Sequence, residues 1–158
     1  MTKLLVYIFS FASLLIISCE KLDVKASADI TGEWRYVGTF DHRANYSCYI
    51  CPEFDFEKSI YRINFKVDNS LTTQINYMRG EGKYELNLRD KADNMPTYNL
   101  SIKDYKELNK PVETNADGVF RSAFLNSYWL TIGEQEMGYD QLQLQFNENE
   151  FLLFVKKN

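Results

Sequence analysis

Ser59-Ile60-Tyr61-Arg62-Ile63-Asn64-Phe65-Lys66-Val67 sets the period of the chain. Tyr61, Ile63, Phe65 and Val67 fall on one side, and Arg62, Asn64 and Lys66 on the other. An alternation of two marks a strand with one face in a core and one in water. Asp68-Asn69-Ser70 comes next, three residues whose side chains bond nearby backbone and so turn the chain. Leu71, Thr73, Ile75 and Tyr77 then alternate with Thr72, Gln74 and Asn76, the return arm of a hairpin.

The same pattern spreads outward in both directions. Upstream, Trp34, Tyr36 and Phe40 share one face of a strand that begins at Gly32. Residues 41–58 show no period and are expected to form a long irregular connection. Downstream, Arg79-Gly80-Glu81-Gly82 reads as a tight turn, since glycine supplies positive φ without strain. Tyr84, Leu86 and Leu88 form the next run, residues 90–96 a loop, and Tyr98, Leu100 and Ile102 a fifth strand. The period then lengthens. Asp117 is an N-cap type, and Phe120, Ala123 and Phe124 recur at helical spacing, which predicts a short helix over 118–126. Residues 128–132, 142–146 and 151–155 supply three more strands, the last two joined by the turn Asn147-Glu148-Asn149. The expected fold is all-β, an antiparallel meander of about eight strands with one short helix before the last three. Closure removes the unpaired edges of such a sheet, so the last strand is expected to pair with the first, around Trp34.

Ahead of the meander, residues 4–17 are apolar and uncharged behind Lys3. That run is too short for a membrane span and has the form of a signal peptide. Ile16-Ile17-Ser18-Cys19 resembles the lipobox of bacterial lipoproteins. The resemblance implies cleavage after Ser18, lipidation of Cys19, and a cell-envelope location with the outer membrane as the expected membrane. Three parts follow: a signal peptide at 1–18, the lipidated Cys and a polar tether at 19–29, and one β-barrel domain at 30–158. The 158-residue chain is acidic, at net −4, and losing Lys3 with the leader makes it more so. Nucleic acid, which calls for a basic face, is not an expected partner. Three Pro and seven Gly leave no low-complexity stretch to divide the domain.

Gly32-Glu33-Trp34 is similar to the Gly-x-Trp opening of lipocalin-like barrels. A wider set resembles the META-domain lipoproteins of bacterial envelopes: Trp34, Asn76, Gly82-Lys83-Tyr84, Phe120 with Phe124, and Leu142-Gln143-Leu144 with Leu152-Leu153-Phe154. The chain departs from that family at Gln74-Ile75, where the family carries Gly-Cys. The resemblance implies a barrel and an envelope role, with no single shared activity.

Chemistry-bearing residues are few. Cys48-Tyr49-Ile50-Cys51 holds both cysteines beyond Cys19, and outside the cytoplasm a disulfide is the expectation; free thiols, or a redox or metal role, are the alternatives. His42 is the single His, too few with one Cys pair to complete a structural zinc site. Glu53, Asp55 and Glu57 would share one side of an extended segment, most simply as a solvated edge. No serine has a second His or an elbow motif to activate it. No enzyme, cofactor or metal is therefore expected. One reading is a non-enzymatic binding module that acts through its loops or outer face on a protein or other envelope component. The other is a lipocalin-like carrier of a small apolar ligand, with Trp34, Tyr61, Phe65, Tyr84 and Trp129 as candidate lining residues. Replacing Cys19 by Ser is expected to abolish metabolic labelling with a fatty acid and to leave an unprocessed precursor; unchanged labelling would refute the lipobox.

Overall fold

The computed structural model describes residues 30–44, 47–51, 54–92, 95–109, 112–136 and 138–157. The predicted signal peptide, Cys19 and the tether lie outside the described residues. Among the described residues, nine strands and one α-helix follow in order: β1 (Gly32–Asp41), β2 (Ser47–Ile50), β3 (Tyr61–Phe65), β4 (Ser70–Ile75), β5 (Met78–Ala92), β6 (Met95–Glu107), α1 (Asn115–Leu125), β7 (Trp129–Glu136), β8 (Tyr139–Gln145) and β9 (Glu150–Lys157). Every pairing is antiparallel, and β9 returns to β1, so that eight strands close into a barrel with β2 appended outside the circuit.

β1 carries the closure by pairing along both edges. One edge meets β3 at Gly32–Arg35 and β2 at Thr39–Asp41; the other meets β9 from Arg35 opposite Val155 to Asp41 opposite Glu150. Irregularities between Tyr36 and Gly38 and between Thr39 and Phe40 break its alternation. Extra residues of this kind re-aim the side chains beyond them. The expectation that Phe40 shares a face with Trp34 and Tyr36 is corrected accordingly. Thr39 takes the buried place and bonds the Tyr36 hydroxyl at 2.5 Å, while Phe40 stacks on Phe151 at 5.5 Å.

The barrel is filled with side chains. At one end Trp34 has no exposed surface, and its indole N–H donates to Ile30 O at 2.7 Å. Phe65 meets Tyr84 edge to face at 4.9 Å, and the Tyr84 hydroxyl donates to Lys66 O at 2.7 Å. Ile63, Leu71, Leu130, Leu142, Leu144 and Phe154 belong to the same buried core. Across the other end lies α1, which turns Phe120, Ala123 and Phe124 into the core.

Several local expectations are corrected. Val67 and Tyr77 are 85% and 76% exposed, because β3 stops at Phe65 and β4 at Ile75. The second hairpin turns at Asn76-Tyr77, where Asn76 adopts φ 54°, so Arg79–Gly82 is strand rather than turn. A Cβ on Gly80 would lie 2.8 Å from Thr73 Oγ1 and against the Tyr105 ring, so this glycine serves close approach. The expected loop at 90–96 is the end of a long hairpin, with β5 reaching Ala92 and β6 starting at Met95. The helix starts earlier than predicted: Thr114 is the N-cap, and Asp117 is the third residue of a capping box. The connection at 41–58 contains β2 and so is not wholly irregular. Its later part crosses the outside of the barrel, where Arg35 lies over the Phe56 ring at 4.1 Å and donates to Phe56 O. Truncating Trp34 to Ala should cost about 3–5 kcal/mol in urea unfolding, whereas Val67→Ala should stay within about 0.5 kcal/mol. Equal losses would refute this division of the strand residues.

Candidate functional site

A cavity of about 1010 Å³ opens at the helix-covered end. Three walls make it. One is α1 with its C-cap, which present Ala116, Val119, Ser122 and Asn126, residues three to four apart and therefore on one stripe beside the helix's core face. The second is β2 with the residue after it, Tyr49, Ile50 and Cys51; the third is the β8–β9 turn, with Phe146, Asn147 and Glu150. Its floor is aromatic. Phe120 touches Tyr36 and Tyr61, each at 4.9 Å between ring centres, and Phe154 at 6.0 Å.

Hydroxyls and carboxylates around this space are tied to one another. Tyr61 donates to Asp117 Oδ1 at 2.7 Å, and Asp117 also accepts from the Thr114 N–H at 2.8 Å and the Asn76 amide at 3.4 Å. Burial alone would raise the Asp117 carboxyl, but these donors outweigh it and hold the carboxyl below its usual range. Burial, reinforced by Asp117, pushes the Tyr61 phenol well above its ordinary value. Tyr49 is pushed up likewise, first by partial burial and then by the neighbouring Glu150 carboxylate. Both phenols keep their protons at neutral pH, so the cavity presents neutral hydroxyls rather than phenolates.

β2 owes its position to two features. Cys48 and Cys51 form a disulfide with Cα atoms 5.8 Å apart, which folds the end of the strand back on itself. Gly38 of β1 lies directly beneath: a Cβ there would be 2.7 Å from Cys48 Sγ and 3.0 Å from Ile50 O. Only glycine lets the bridge sit down on the barrel.

The candidate lining residues separate. Tyr61 lines the cavity, whereas Trp34, Phe65 and Tyr84 are packed in the filled barrel and do not reach it. Trp129 neighbours inward-facing Leu130 on β7 and lies under the Arg89 guanidinium at 3.7 Å, again away from the cavity. His42 packs at a tilt against Phe151, with ring centres 4.7 Å apart. Of the carboxylates at 53–57, Asp55 pairs with Lys58 at 2.9 Å and Glu57 lies 3.9 Å from Arg35; Glu53 is outside the described residues. Among the described residues no three His, Cys, Asp or Glu side chains gather as metal ligands.

A solved structure shares the fold. It is a crystal structure of a DUF4847 family protein from Bacteroides vulgatus ATCC 8482, with a TM-score of 0.52 and 15% identity, over 82% of this chain and 95% of that one. At that identity the likeness is one of fold. No family model matches the chain, and no curated protein matches it.

The cavity walls on α1, β2 and the β8–β9 turn were not legible as a site. Their one local signal is Val119, an apolar residue on the helix face away from Phe120 and Phe124. Because the bridge closes a loop of only a few residues, chain entropy gives it about 2 kcal/mol at most. A Cys48→Ser, Cys51→Ser double variant should therefore fold, with its melting temperature lowered by a few degrees. Alkylation without reduction should leave both cysteines of the native protein unmodified; two labelled thiols would show the bridge to be open.

Proposed function

We propose that the protein is a non-enzymatic binding module that holds a small, largely apolar ligand in the cleft between α1, β2 and the β8–β9 turn. The observation that carries this reading is the cavity itself. At about 1010 Å³ it is at the upper end of small-molecule sites, and aromatic and aliphatic side chains line it with a few polar groups at its edge. Trp34, Phe65 and Tyr84 are buried in the barrel core and do not line the cavity, so the ligand sits at the helix-covered end. That revises the carrier reading of the sequence in location while keeping its chemistry. A role for loops in contacting an envelope component remains compatible, because β2 and the β8–β9 turn are those loops.

In this reading the module is tethered to a bacterial envelope membrane through Cys19. What supports it is Ser18-Cys19 behind an uncharged apolar run, the polar stretch at 20–29, and a disulfide of the kind that persists in oxidising compartments. A divergent relationship to META-domain lipoproteins belongs to the same proposal and rests on the motif set around Trp34 and Gly82-Lys83-Tyr84.

The test uses an uncharged fluorescent apolar probe, Nile red. The native protein should bind it saturably, one molecule per chain. Ala116→Trp and Ser122→Trp place an indole in the cleft from the exposed side of α1; each should keep the native melting temperature and weaken the dye by about tenfold or more. Dye binding unchanged in both variants would put the dye elsewhere and refute the proposal.

A further inference from the structure

We infer that the cleft takes a small organic cation, with its charged nitrogen at Glu150 and its apolar body against Phe120 and Val119. This rests on the reading of the cavity as a ligand site and adds the charge of what enters it.

Among the described residues that line the cleft, Glu150 is the one formal charge; no Lys, Arg or His is among them. Its carboxylate accepts from the Asn147 side-chain amide, and Tyr49 lines the same cleft. A carboxylate offers about four lone-pair positions, so acceptor capacity is left for a ligand. An anion placed here would lose water, gain no cation and meet that carboxylate. Arg43, a basic residue close enough to feel Glu150, is already held by Asp41 at 2.7 Å. The rings of Tyr49, Tyr61, Phe120 and Phe146 add to the preference, because aromatic faces attract cations.

One feature of the cleft favours the opposite charge. The first turn of α1 contributes Asn115 and Ala116 to the wall, and a helix N-terminus carries partial positive charge. Asp117 answers that charge from within the same turn: it accepts from the Thr114 N–H at 2.8 Å, and its carboxyl is held in the ionised form. The cleft therefore has a net negative character.

Three probes share one apolar body and differ in charge: 1-naphthylmethylamine, 1-naphthylmethanol and 1-naphthoate, titrated calorimetrically at neutral pH. The native protein should bind the ammonium about tenfold more tightly than the alcohol, and the carboxylate more weakly than either. Glu150→Gln should abolish the advantage of the ammonium over the alcohol. An alcohol that binds and is displaced by Ala116→Trp, with an ammonium no tighter, would leave the cleft standing and overturn this inference alone. Naphthoate binding as tightly as the ammonium would also overturn it, as would an ammonium advantage that survives in Glu150→Gln. Failure of all three probes to bind would overturn the cleft reading and this inference together. The native comparison decides even if Glu150→Gln does not fold.

Discussion

The pairing of β9 with β1 is the constraint on which the rest of the structure depends. A meander of this length leaves its first and last strands with open rows of N–H and C=O groups, and these invite association with other chains. From Arg35 opposite Val155 to Asp41 opposite Glu150, that pairing satisfies both rows at once. It also encloses a core large enough to bury Trp34, Phe65, Tyr84 and Phe154 almost completely. β1 meets this demand by serving three neighbours. Its irregularities at Tyr36–Gly38 and Thr39–Phe40 allow β3 and β2 to share one edge while β9 occupies the other.

Much of this was legible because period is a local property. The alternation of Ile63, Phe65, Leu71, Thr73 and Ile75 with polar neighbours gave two strands and their turn. The lengthened spacing at Phe120, Ala123 and Phe124 gave the helix, and Asn147-Glu148-Asn149 gave the last hairpin. What failed were boundaries and turn positions. Val67 and Tyr77 continue the alternation but lie past the points where their partners stop. Glycine suggested a turn at Gly80, where the cause is instead a tyrosine from another strand pressing on the sheet. Asn76 took the positive φ that glycine was expected to supply, since a short amide side chain tolerates the left-handed region.

The cleft was much less legible, and for a physical reason. Its walls come from a four-residue strand, one stripe of a helix and a hairpin turn that are far apart in sequence, and no repeat joins them. Tyr61 was singled out for its aromatic ring, yet so were Trp34, Phe65 and Tyr84, which pack in the barrel. An aromatic side chain in a strand carries the same local pattern whether it faces a full core or an opening. Gly38 is equally silent: only the disulfide above it reveals why a side chain is excluded there.

Closure also sets an order of events in time. The residues that β9 brings to β1 are roughly a hundred positions away in the chain, and contacts at such separation are entropically costly and form slowly. The hairpins β3–β4, β5–β6 and β8–β9 are local and can form early. β1 must wait with one edge unpaired until β9 arrives. The cleft, which borrows Glu150 from the start of that strand, is therefore among the last parts of the molecule to come into being.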